Sequence, residues 1–149
     1  MNDARESKNE AVLDCYVDDD KIIYITLGGD VSLNSSFQVE KFETWVKKVK
    51  QAMQEVSVIN SRQVLTLIDV TQLKHFDVLA IERLRELMAF NKDYATKTAV
   101  FGASMFIRTV VRSTLALTHR TTMKLFPTRA DALVWLTETE ERENRRTIG

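Results

Sequence analysis

The run Val64-Leu65-Thr66-Leu67-Ile68-Asp69-Val70-Thr71-Gln72-Leu73-Lys74-His75-Phe76-Asp77-Val78-Leu79-Ala80 decides the fold. Val64 to Val70 is almost continuously apolar, broken only by Thr66 and Asp69, as in a strand covered on both faces. A polar loop follows, and Asp77 is placed to cap a helix, with about 1 kcal/mol at stake. In that helix Ala80, Ile81, Leu84, Leu87 and Met88 recur on one side, with Glu82, Arg83, Arg85 and Glu86 on the other. It is expected to end near Lys92. In an open α/β sheet, a strand-to-helix crossing of this kind is where ligands bind.

Downstream, Thr98 to Ala103 reads as a second buried strand, and Ser104 caps a helix from Met105 to about Thr118. The apolar residues Met105, Phe106, Ile107, Val110, Val111, Leu115, Ala116 and Leu117 cover more of its circumference than one sheet contact needs. The surplus suggests a dimer contact or a pocket for an apolar ligand. Arg108 and Arg112 lie one turn apart on the same side, either holding an anionic head group or forming a solvated face. Thr122 to Phe126 is the last strand. Pro127 stiffens the next turn, and Thr128-x-x-Asp131 has capping-box spacing. Ala132, Leu133, Trp135 and Leu136 dock the closing helix. Glu138–Arg142 and Glu141–Arg145 support a charged end over 138–149, expected to fray past about Thr139.

Upstream, residues 1–10 are polar and are expected to form a flexible tail. Ala11 to Val17 and Ile22 to Leu27 read as two antiparallel strands joined at Asp18-Asp19-Asp20-Lys21, a turn rather than a cation site. Gly28-Gly29-Asp30 is expected to end the second strand. The following GGDVSLNSS has neither phosphate-loop spacing. Ser35 or Ser36 caps the first helix, with Ser35-x-x-Gln38 as a capping box. Phe42, Trp45, Val46, Val49, Met53 and Val56 form its apolar face. Lys41, Lys47, Lys48 and Lys50 raise a membrane-helix reading, which Glu40, Glu43 and Glu55 dilute.

The order β-β-α-β-α-β-α-β-α implies an α/β fold. Its mixed, mostly parallel sheet has about five strands, an N-terminal hairpin and about four helices. A chain of 149 residues is one domain by size, 44% hydrophobic and 28% charged. Lys plus Arg and Asp plus Glu balance at 21 each, so nothing demands nucleic acid. The lone Cys15 fits a reducing compartment, no signal-peptide core stands in Met1–Glu10, and no run reaches membrane-span length. A cytoplasmic location is expected.

No catalytic constellation assembles. His75 and His119 lack metal-ligand spacing, Cys15 has no nearby His, and Ser32, Ser35 and Ser36 sit in no nucleophile elbow. Asp69 is expected to accept backbone N–H bonds that fix its loop, with a binding or catalytic carboxylate as the alternative. No cofactor or metal is called for.

Three pieces resemble the STAS domain, and more closely its SpoIIAA-like branch, described near the Sec14/CRAL-TRIO type of lipid carrier. They are the hairpin ending Leu27-Gly28-Gly29, the run Leu67-Ile68-Asp69-Val70-Thr71 with a helix beginning at Asp77, and Phe126-Pro127-Thr128-Arg129-Ala130-Asp131-Ala132-Leu133-Val134-Trp135-Leu136. The resemblance covers residues 11–137. It implies a STAS-like domain and, for anti-sigma-factor antagonists, an Asp-Ser-Ser-Gly-type phosphorylation site at the second helix. Here that position reads Asp77-Val78-Leu79-Ala80, without a hydroxyl. A phosphoryl switch needs that hydroxyl, so it is not carried over. Thr71 is the nearest hydroxyl in the loop.

The expected function is a non-enzymatic STAS-like regulatory or protein-interaction module, its partner another protein or a second copy. The alternative is an apolar-ligand or anionic-lipid-binding protein with weak peripheral membrane association. The surface for either comprises Asp69, Thr71, Asp77, Phe106, Arg108, Val110 and Arg112.

Overall fold

Strands β1 (Val12–Val17) and β2 (Ile22–Val31) form the antiparallel opening hairpin in the computed structural model, which describes residues 10–60, 63–118 and 122–138. Asp18 closes the turn by accepting the Ile22 N–H at 2.9 Å, and Lys21 takes a positive φ of 66°. Helix α1 (Ser36–Ile59) starts at Ser35, whose hydroxyl oxygen accepts the Gln38 N–H at 3.2 Å. Its buried residues are Phe42, Trp45, Val46, Val49, Met53 and Val56, the face that helical spacing marks. Then follow β3 (Leu65–Asp69), β4 (Leu73–Phe76), α2 (Val78–Tyr94), β5 (Lys97–Phe101), α3 (Met105–Thr118), β6 (Met123–Phe126) and α4 (Arg129–Leu136).

The sheet runs β1-β2-β3-β5-β6, parallel from β2 onward, with β4 added beside the end of β2. Among the described residues it has six strands, the five of the main path and β4 beside it. The extra strand escapes a reading by period because Leu73 and Phe76 are buried while Lys74 and His75 between them are exposed. Nothing in that spacing alternates.

A correction concerns Gly28-Gly29, which bend β2 rather than end it. The strand pairs with β3 through Ile22–Thr26 and with β4 from Gly29 to Val31, its register shifting between Gly29 and Asp30. Gly29 sits at φ 70°, and a Cβ there would lie 2.1 Å from the Glu10 carbonyl oxygen. Only glycine fits that bend.

Parallel connections of one hand put α1, α2 and α3 on the same face of the sheet. The main core joins Cys15, Ile23, Ile25 and Leu27 to the apolar sides of those helices. The opposite face carries Ile22, Leu67, Ala99 and Phe101, covered by Ala132 and Leu136 of α4. Thr128 caps α4 by accepting the Asp131 N–H at 3.2 Å. Residues 1–9 of the tail expected over 1–10, residues 139–149 of the charged end expected over 138–149, and His119 lie outside the described residues.

Cys15 is a packed thiol. Burial pushes it from its usual 9.0 up to about 11. The folded state thus keeps a proton that the unfolded chain releases near 9.0, so this contribution to stability is full below pH 9 and falls as pH rises toward 11. Urea midpoints are expected to drop more steeply between pH 8 and 10.5 for wild type than for Cys15→Ala. Equal slopes would remove the assignment.

Candidate functional site

The loops after β3 and β5 and the first turns of α2 and α3 converge on the edge where the parallel strands end. Asp69 fixes the first loop: its Oδ1 accepts the Thr71 N–H at 2.9 Å and the Thr71 hydroxyl at 2.7 Å. The Thr71 hydroxyl is therefore committed locally. Gly102, at φ 79°, lies directly against Thr71. The loops are joined by Val70 N–H donating to the Phe101 carbonyl at 3.2 Å.

Asp77 does two jobs. Oδ1 accepts the Ala80 N–H at 2.9 Å and caps α2, while Oδ2 accepts the Leu33 N–H at 2.8 Å from the segment entering α1. Asp77→Ala removes both and is expected to cost about 2 kcal/mol in chemical denaturation. Asp77→Asn keeps one amide oxygen as acceptor and should lose about half as much. Equal losses for the two variants would show that the second bond contributes nothing.

Beyond these caps the edge is apolar. Val78 and Leu79 in the first turn of α2 are 70% and 55% exposed, and Met105 and Phe106 in the first turn of α3 are 82% and 65% exposed. The Phe106 ring lies 5.9 Å from that of buried Phe76, so the patch rests against β4. Both helices repeat one pattern, a capping residue followed by two apolar ones: Asp77-Val78-Leu79 and Ser104-Met105-Phe106. Ser104 accepts the Ile107 N–H at 3.3 Å. In each first turn the first two residues project past the sheet edge, while the third, Ala80 or Ile107, packs into the core. That repeat was the available signal for Val78, Leu79 and Met105.

The remaining expected residues separate. Arg108 donates from Nε to the Ala103 carbonyl at 3.1 Å and so helps to hold the start of α3. Arg112 is exposed one turn on. Val110 is half-buried and lines a partly open cavity between the sheet and helices α1, α2 and α3. His75 Nδ1 lies 3.2 Å from Asp30 Oδ1, which also accepts the Ser32 hydroxyl at 2.6 Å. Among the described residues no three His, Cys, Asp or Glu side chains are grouped to hold a metal. No described helix is long and apolar enough to cross a membrane.

Asn91, on the last turns of α2, carries no such signal in sequence. It is buried, accepts the Thr98 hydroxyl at 2.9 Å and donates to the Thr66 hydroxyl at 3.3 Å. Thr66 and Thr98 are partners across β3 and β5, their hydroxyls 2.5 Å apart. Helix α2 is thus tied down at one end by Asp77 and at the other by Asn91, and the cavity lies along its length between them.

These features define a class: an α/β protein with a SpoIIAA-like, STAS-type fold, three helices on one sheet face and one on the other. The chain is similar to an uncharacterised DUF3478-family protein with a SpoIIAA-like fold from Shewanella loihica PV-4. That match has a TM-score of 0.62 at 19% identity over 85% of this chain and 94% of that one. It is also similar to part of SLC26A9, which has a STAS domain, with a TM-score of 0.53 at 15% identity. That match covers 83% of this chain and only 21% of the SLC26A9 chain. No protein-family model and no curated protein matches the sequence.

Proposed function

We propose that this chain is a non-enzymatic interaction module with a regulatory role in the cytoplasm, engaging a protein partner or a second copy through the apolar edge. The observation that carries this reading is the group of four exposed apolar side chains, Val78, Leu79, Met105 and Phe106, on the first turns of α2 and α3. Exposed apolar surface gathered in one place favours a partner that removes it from water. The resemblance to the STAS family supports this reading, since its phosphorylated members carry serines at the start of the second helix, where this chain has Val78 and Leu79. Partner binding is then controlled by the availability of the partner rather than by added charge.

Photocrosslinking in cells tests this. A crosslinker at Leu79 is expected to give a discrete adduct that Phe106→Asp abolishes, whereas one at exposed Asp93, at the far end of α2, gives none. Identical adducts from both positions would refute the reading.

A second reading has the same edge meet an anionic lipid surface, giving weak peripheral membrane association. It is favoured by α3, which adds Arg108 and Arg112 to Met105 and Phe106 and carries no Asp or Glu. On this reading the chain floats with phosphatidylserine vesicles but not with phosphatidylcholine vesicles, and Arg112→Gln weakens flotation. Absence of flotation with either lipid would end it.

A further inference from the structure

On its three-helix face the sheet bounds a cavity of about 120 Å³. Ile25, Ile68 and Val100 line it from three adjacent parallel strands and are aligned in register. Met88 from α2 and Val110 and Val111 from α3 line it from the helices. Protein interiors rarely leave voids larger than a water molecule, so this space is unusual for a core. Water is a poor occupant, because an ordered water needs two to four polar partners and this wall is almost wholly apolar. The Asn91 amide at the wall is engaged with Thr66 and Thr98.

One charged residue reaches the site. Arg85 lines the cavity and is nevertheless exposed as a residue, so a charged side chain borders the apolar wall on its solvent side. Among the described residues no carboxylate stands within ion-pair distance of Arg85. Its neighbour Arg83, by contrast, is held by Glu43 and Glu86. Helix α3 is the weaker wall, since Ile107 is its one buried residue among the described side chains. Sparse burial marks the element that opens at least cost.

The geometry points to a binding site for a small carboxylic acid with a compact apolar body, its carboxylate beside Arg85 and its body in the cavity. Size sets the class. An apolar cavity of about 150 Å³ accommodates benzene, so a space of this order takes one ring or a short branched alkyl chain. The tail of a long-chain fatty acid exceeds it. This site lies between the sheet and its helices, partly open to solvent, and does not depend on whether the apolar edge binds a protein.

Methyl NMR of the full chain, titrated with phenylacetate, toluene and palmitate, tests the assignment. Phenylacetate is expected to shift the methyl signals of Ile25, Ile68 and Val100 saturably. Toluene should shift the same signals with about threefold weaker affinity, the scale of one exposed ion pair. Arg85→Gln should bring the two affinities together. Val111→Phe, which fills the cavity, should abolish both responses, and Leu84→Phe serves if that variant does not fold. Cavity methyls unmoved by phenylacetate in the wild type would overturn the site. So would shifts that persist in a folded, filled variant. Palmitate competing with phenylacetate would make this a long-chain lipid site and overturn the size assignment. An unchanged phenylacetate affinity in Arg85→Gln would overturn the carboxylate's placement.

Discussion

Replacing Asn91 by alanine is expected to lower the unfolding free energy by about 3 kcal/mol in urea melts. Two losses add. The Thr66 and Thr98 hydroxyls each lose a hydrogen-bond partner in a region where both residues are fully buried. The missing side-chain volume also joins the existing cavity, which Asn91 lines. The two hydroxyls remain bonded to each other, but the bond that each loses is not replaced by water, so its loss costs more than the bond contributes when made. The same asymmetry predicts a rescue. The triple variant Asn91→Leu, Thr66→Val, Thr98→Val removes the polar groups together and keeps similar shapes, so it should recover most of the loss. A loss under about 1 kcal/mol for Asn91→Ala, or a triple variant no better than the single, would show that the network does not hold α2 to the sheet.

Gly102→Ala is expected to cost a further class of energy, about 3 kcal/mol, from backbone geometry. Gly102 occupies φ 79°, where a Cβ is strained in any surroundings, and an added Cβ would lie 2.1 Å from Thr71 Cγ2. Either the β5–α3 loop or the Asp69–Thr71 loop must then move. Thr71→Ser separates the two causes. It removes Cγ2 but keeps the hydroxyl that donates to Asp69 at 2.7 Å. Gly102→Ala with Thr71→Ser should therefore recover about half the loss, leaving the φ strain and the 3.1 Å contacts to Thr71 Cα and Cβ. Gly28→Ala is the control. It has no positive φ, and its added Cβ meets the Gln72 side chain at 2.9 Å, so its loss should be smaller. Full recovery in the double variant would assign the whole effect to the methyl clash. No recovery would assign it to the backbone.

What could be read without coordinates follows from the range of the interactions. Ser35, Asp77, Ser104 and Thr128 all cap the helices expected of them, because a cap is settled within three residues of chain. The buried side of α1 matches its helical period residue by residue. Asp69 fixes its own loop by accepting a backbone N–H, as its position at the end of the buried strand implied. Of the expected surface, Asp77 and Phe106 do reach the sheet edge, but Val110 turns inward to the cavity and Arg108 is occupied by a carbonyl. Sequence marks which side of a helix is apolar. It does not mark whether the sheet lies close enough to cover it.

Apart from β4, the order of strands and helices, their caps and the buried side of α1 were determined by the sequence, since each rests on bonds and periodicities spanning a few residues. Four features were decided by tertiary structure. They are the pairing of β4 with β2, the bend at Gly29 that permits it, the burial of Asn91 against two threonines, and the cavity beneath α2 and α3. Each depends on groups far apart in the chain, such as Gly29 with Leu73 and Asn91 with Thr66. No local period encodes where two such surfaces will meet, or whether they will leave a space between them.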